Sequence, residues 1–202
     1  MKLKAIEKKE RSLGTKLFLK AERCNSQKCV TIRKPYRPGM HGQSYKQISE
    51  YGLQLREKQR IQVYYGLNNK QMVNLFKKRN LTPEKIIDIL ERRLDRVVFY
   101  LGFAASSRIA RQLIVHGHIM VNNKKLTIPS YYVKVGDVIE IKKESRKLKL
   151  FADLNNHLKN YQAPNWLKLD KSELKGECIQ DPDIESLHFP FNIDMVVQFY
   201  SR

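Results

Sequence analysis

The feature that constrains this chain most is how its charge is distributed. Residues 1–50 carry 13 basic and 4 acidic side chains, residues 51–100 carry 11 and 5, and residues 101–150 carry 10 and 3. Residues 151–202 reverse the sign, with 5 basic and 8 acidic groups. The first 150 residues thus hold an excess of 22 positive charges. Such a charge repels itself unless a polyanion neutralises it, so the chain is expected to work against nucleic acid phosphates. It is nevertheless 42% hydrophobic, enough for a buried core, which separates it from disordered polycationic tails. Its 202 residues leave room for one or two domains. Cys24, Cys29 and Cys178 are odd in number and lack the spacing of a disulfide framework, so free thiols in a reducing compartment are expected. No run of about 18 apolar residues occurs and the opening MKLKAIEKKERS has no apolar centre, so neither a membrane contact nor a secretion signal is expected.

The local patterns predict an α+β protein in four parts. Residues 1–48 are rich in Lys, Arg, Gly and Pro and weakly periodic, as in Arg33–Gly42, which predicts a basic extended arm with turns. Residues 49–89 form a helical region, with two helices broken at Gly66–Asn69, then Thr82 before Pro83 as the start of a further helix. Its apolar positions Ile86, Leu90, Leu94, Val97 and Leu101 recur at helical spacing up to Gly102. Residues 90–155 form a compact module of two helices and a small antiparallel sheet. Its second helix runs from about Ser107 to His116, capped by Ser106 and stopped by Gly117. Stepped at about 100° per residue, Ile109, Ala110, Leu113 and Ile114 fall on one side of that helix, and Arg108, Arg111, Gln112 and His116 on the other; Val115 alone breaks the division. A hairpin turning at Asn122–Asn123 and a strand through Val138, Ile139 and Ile141 follow. Residues 156–202 are an acidic C-terminal segment, ending in a helix capped by Asn192 whose Met195, Val196 and Phe199 pack back.

The stretch LERRLDRVVFYLGFAASSRIARQLIVHGHIMVNNKKLTIPSYYVKVGDVIEI at 90–141 closely resembles the RNA-binding domain named after small-subunit ribosomal protein S-four. The segments PYRPGMHGQ (35–43), EYGLQLREKQR (50–60), NWLKLD (165–170) and FYSR (199–202) extend the resemblance to the bacterial and organellar S-four family over nearly the whole chain. That resemblance implies early binding to the five-prime domain of small-subunit rRNA, contact with the neighbouring small-subunit protein S-five, and a part in decoding accuracy. It implies a place in the small ribosomal subunit of the cytoplasm or an organelle, with no cofactor and no small-molecule substrate.

Transferred residue by residue, the resemblance places Arg108, Arg111, Gln112 and His116, with Lys124 and Lys125 of the hairpin, against the RNA backbone. In the arm and first helices the rRNA candidates are Arg11, Lys16, Arg33, Lys34, Arg37, His41, Arg56, Lys58 and Arg60. The arm is expected to become ordered on RNA. Asp181, Asp183 and Glu185 are candidates for contact with a basic protein neighbour. Two departures from the family stand out. Zinc-containing relatives use four cysteines, and Glu7 and Glu10 occupy the first two of those positions here beside Cys24 and Cys29, so no metal is expected. Near the mRNA entrance, where many relatives carry several Arg and Lys, this chain has Gln43, Ser44, Tyr45, Lys46 and Gln47.

Two other classes use the same module. Arg93–Leu94–Asp95 resembles the catalytic triplet of pseudouridine synthases, but a catalytic domain of roughly 150 residues has no room here. Glu91 and Asp95 with Arg92, Arg93 and Arg96 are instead expected to pair on a helix surface, and the chain is not expected to be an enzyme. A stand-alone RNA chaperone is the remaining alternative, although such a protein needs neither the long basic N-terminal region nor the sign-reversed tail.

Overall fold

A computed structural model describes residues 3–19, 24–44, 47–77, 82–148, 151–183, 187 and 189–201. The chain is an α+β protein and divides into two compact units, Met1–Ile86 with Leu187–Arg202, and Ile87–Ser186.

The first unit is helical. The arm expected to be extended contains helix α1 (Leu3–Leu13) and the short α2 (Val30–Arg33), which pack together. The sequence hides this small core because its anchors, Leu13, Leu17, Cys24 and Cys29, are far apart and one buried member, Glu10, is a carboxylate. Helix α3 (Glu50–Tyr64) is capped by Ser49 Oγ, which accepts the Gly52 N–H. Helix α4 (Asn69–Lys77) follows the expected break, and Asn68 and Gln71 satisfy each other's backbone N–H groups in a reciprocal cap. Helix α5 (Pro83–Glu91) begins after Thr82 and carries the chain across the division between the two units at Ile86–Ile87. The last helix, α9 (Ile193–Ser201), returns to pack on α3 and α4. Its cap is as expected, with Asn192 Oδ1 accepting from the Asp194 and Met195 N–H groups. Val196 is fully buried there, alongside Ile61 and Met72.

The second unit places helices α6 (Leu94–Tyr100), α7 (Ser107–Val115) and α8 (Leu154–Lys159) with a five-stranded antiparallel sheet of order β2-β1-β3-β5-β4. The strands are β1 (Ile119–Val121), β2 (Lys124–Lys125), β3 (Val138–Ile141), β4 (Leu167–Asp170) and β5 (Lys175–Cys178). Two findings alter the sequence reading. The helix expected through Leu101 breaks at Arg92–Arg93, where Arg93 is extended and pairs with Tyr132. The freed backbone groups are taken up by the 129–133 segment: Leu94 N–H donates to Tyr131 O, Asp95 N–H to Pro129 O, and Val133 N–H to Arg92 O. Leu90, Leu94, Val97 and Leu101 are all buried, so the apolar period runs across the break and conceals it. The second finding is β4 and β5, which add part of the acidic C-terminal segment to the module's own sheet, so the expected division at residue 155 falls inside this unit. Gly176 makes this join feasible, because a Cβ there would stand 2.3 Å from the buried Leu101 side chain.

Candidate nucleic-acid interface

Helix α7 is built as a two-sided element. Ser106 Oγ accepts the Ile109 N–H at its start, and Ala110, Leu113 and Ile114 enter the core made with α6 and the sheet. Arg108, Gln112 and His116 face solvent, and Arg111 is half-buried. Ile109 was expected on the buried side but is 40% exposed. It lies at the margin of the apolar arc, so the buried stripe is narrower than the hydrophobic pattern suggests.

The hairpin is held against the end of this helix. Asn122 and Asn123 adopt φ of 49° and 63°, as a two-residue turn of matching twist requires. Asn122 Nδ2 donates to Asp137 Oδ1 at 2.8 Å and its Oδ1 accepts the Val138 N–H at 2.9 Å, locking the turn to β3. Gly117, at φ +75°, leaves room for the Lys125 side chain, whose Cε would be 2.2 Å from a Cβ at that position. The Lys125 ammonium is thereby kept near the C-terminal end of α7, where a cation is favoured. Lys124 and Lys125 are both exposed. Arg108, Gln112 and His116 on the exposed side of α7 and Lys125 beside its C-terminal end thus come from separate segments to one side of the unit, while Lys124, the preceding residue of the same strand, is exposed on the opposite face of β2.

The structure adds basic residues that the sequence reading missed. Lys142 N–H donates to His118 O, and His118 Nδ1 lies 3.0 Å from Ser145 Oγ. These bonds bring the 142–147 turn alongside the α7–β1 junction, with Lys143 and Lys147 exposed. Their charge was visible in the sequence, but the two bonds to His118 that tie it to the end of the helix were not.

Arg111 is engaged inside the unit. The buried Asp95 carboxylate accepts Arg93 Nε at 3.1 Å and Nη2 at 2.9 Å, and also Arg111 Nε at 3.1 Å and Nη2 at 2.6 Å. Glu91, fully buried, accepts Arg96 Nε and Nη2, each at 3.3 Å, while Arg96 also donates to Ser107 Oγ and Tyr100 Oη. The ion pairs expected on a helix surface are therefore internal, because the break at Arg93 turns α6 and its charges inward. Both oxygens of Asp95 are occupied by guanidinium groups, which makes it an anchor for α7.

In the N-terminal unit the candidates separate into two groups. Arg11 donates to the carbonyls of Lys34, Tyr36 and Arg37 at 3.0–3.4 Å and lies over the Tyr36 ring. Lys58 lies 4.8 Å from the Phe199 ring centroid and 5.3 Å from that of Tyr200, and burial pushes its pKa down. Arg60 pairs with Glu57 and donates to Leu13 O. These three cations tie segments of the unit together. Arg33, Lys34 and His41 are exposed, whereas Lys16, Arg37 and Arg56 are half-buried.

Of the acidic candidates, Asp181 and Asp183 are exposed, but Asp181 forms an ion pair with the buried Arg92. Glu185 lies outside the described residues, as do Tyr45 and Lys46 near the expected mRNA entrance. Zinc ligation does not fit the residues present. Glu10 Oε1 is already taken by two backbone N–H groups, and a carboxylate so engaged is a poor substitute for the thiolate that zinc-containing relatives use.

The basic convergence and the buried anchor beneath it sit in a chain with clear relatives. A family profile described as Ribosomal protein S4/S9 N-terminal domain matches residues 3–92, and one described as S4 domain matches residues 92–139. Proteins named small ribosomal subunit protein uS4 from Acetivibrio thermocellus and Thermus thermophilus are 44% and 45% identical to this chain over 193 and 194 residues. One from Nitratidesulfovibrio vulgaris is 42% identical over 193 residues, and each match spans 94% of this chain and 93% of the relative. With its two successive domains and nearly its full length aligned to such relatives, the chain belongs to the uS4 family of small ribosomal subunit proteins.

Proposed function

We propose that the protein is a structural constituent of the small ribosomal subunit that binds the five-prime domain of small-subunit rRNA early and nucleates assembly there. The observation that carries this reading is the juxtaposition of Arg108, Gln112 and His116 on the exposed side of α7 with Lys125 at that helix's C-terminal end, on a packed module; exposed Lys124 extends the basic surface around the hairpin. A-form RNA offers a wide, shallow minor groove with 2′-hydroxyls and phosphates, and a rigid basic surface recognises a folded junction mainly by shape. Gln112 supplies a neutral donor and acceptor for a 2′-hydroxyl, while the cations meet phosphates. Arg111 reaches the RNA from a position set by Asp95. Lys16, Arg33, Lys34, Arg37, His41 and Arg56 extend the contact, whereas Arg11, Lys58 and Arg60 act first in holding the N-terminal unit together. Asp183, the part of Asp181 left exposed, and Glu185 are the candidates for contact with the neighbouring protein S-five, through which the protein contributes to decoding accuracy. Of residues 43–47 Lys46 alone brings charge to the mRNA entrance, so the part of this stretch in mRNA unwinding is small.

Equilibrium binding to the five-prime domain and to a size-matched unrelated structured RNA tests this reading, across about 50 to 200 mM salt. Preference for the rRNA that persists at the upper salt is expected. Equal binding to both RNAs, lost together as salt rises, would leave only a generic polycation.

A further inference from the structure

Phe18 is held in a conformation that its own side chain disfavours. Its φ is 52°, in the left-handed region where a bulky residue is strained and glycine is at ease. The residue is 51% exposed, so full burial of the side chain does not offset the strain. The turn is fixed from beneath by Glu10, which is 2% exposed. Glu10 Oε1 accepts the N–H groups of both residues flanking Phe18, Leu17 and Leu19, each at 3.2 Å, and Cys24 Sγ lies 4.0 Å from Oε2. Leu17 is driven into the small core, 2% exposed, while the next residue is turned outward. A buried carboxylate thus holds a strained backbone that displays an aromatic ring. Residues whose strain is retained because the surroundings over-determine it cluster at functional positions.

We propose that Phe18 is a stacking platform for an unpaired nucleobase of the bound RNA. Aromatic rings displayed on a basic surface take splayed-out bases regardless of identity, because every base has a π-face. Here the ring lies in a 50-residue segment with 13 basic and 4 acidic side chains, two positions from the half-buried Lys16. That excess of positive charge suits the phosphates that accompany a base. The proposal rests on the rRNA reading above and adds a base contact to its phosphate contacts.

The test uses the full chain with Phe18→Ala, Phe18→Gly and Phe18→Trp, titrated with the five-prime domain RNA. Phe18→Ala and Phe18→Gly are expected to weaken binding by about 5- to 100-fold. Phe18→Gly should do so with an unchanged or raised melting temperature, since glycine relieves the positive φ. Phe18→Trp should keep the affinity, and its indole emission, taken above the Trp166 signal of the parent protein, should be quenched by RNA. A parent protein that prefers the rRNA, with Phe18→Ala binding equally well and no quenching in Phe18→Trp, would assign the ring to a protein neighbour and overturn the proposal. Loss of stability in parallel with loss of binding in Phe18→Gly would make Phe18 structural and also overturn it. Absence of rRNA preference in the parent protein would overturn the rRNA reading itself, and the stacking proposal with it.

Discussion

Arg108 and Arg111 stand three positions apart on α7 and do different work. Arg108 faces solvent, while Arg111 is clamped to Asp95, whose side chain is 2% exposed. Charge pattern alone could not separate them, because Asp95 reads as a surface ion-pair partner until the break at Arg93 turns it inward. Their substitutions should therefore diverge in paired thermal melts and RNA titrations. Arg108→Ala is expected to lower RNA affinity and to cost less stability than Arg111→Ala, which lowers both. Asp95→Ala should cost about 3–5 kcal/mol, since it leaves the buried Arg93 without its carboxylate. Equal melting behaviour for Arg108→Ala and Arg111→Ala would contradict the anchoring role. Arg11, Lys58 and Arg60 teach the same lesson: a cation in a basic segment counts toward RNA binding only after its internal partners are known.

Elements were legible where their two sides differ in polarity. Helix α7, its Ser106 cap and its Gly117 stop follow directly from spacing, as do the Asn122–Asn123 turn and the Asn192 cap. Helix α3 gave no clear buried side because its inward positions include Gln54 and Glu57 beside Ile61. Gln54 approaches Gln198 of α9, and Glu57 accepts the Asn192 N–H at 2.9 Å, so the contact with α9 is partly polar and invisible to a hydrophobic pattern. Strands β4 and β5 are four residues each, too short for alternation to be read reliably. Helix α9 also carries a testable pH dependence. The Tyr200 ring stacks on Phe76 at 5.1 Å, and its buried hydroxyl has no hydrogen-bond partner among the described residues. Burial pushes this phenol up to about 12, against about 10 in an unfolded chain. Below pH 10 both states keep the proton. Between about 10 and about 12 only the unfolded state releases it, so the unfolding free energy falls as pH rises through that window. Tyr200→Phe should remove this component and be neutral or stabilising at pH 7. Denaturant unfolding at stepped pH checks it, and an identical alkaline slope in both proteins would refute it.

At the scale of the whole molecule, the reversal of charge after residue 150 was the most legible feature, and the partition of the fold was the least. The acidic stretch does not form a segment of its own: 156–183 contributes two strands to the module's sheet, and 193–201 contributes a helix to the N-terminal unit. Sequence proximity carries no record of which earlier element a late one joins, and the joining contacts, Gly176 beneath Leu101 and Asn192 on Glu57, are single residues. On the proposed function, RNA is held by the combined surface of α7 and the β1–β2 hairpin. The most direct test is the salt dependence of binding to the five-prime domain RNA for the parent protein and for Arg108→Ala/Lys124→Ala/Lys125→Ala. If these three cations meet phosphates, the triple variant binds more weakly and its slope of log affinity against log salt is shallower by about 2 to 3. An unchanged slope and affinity would place the RNA on another surface and contradict the account.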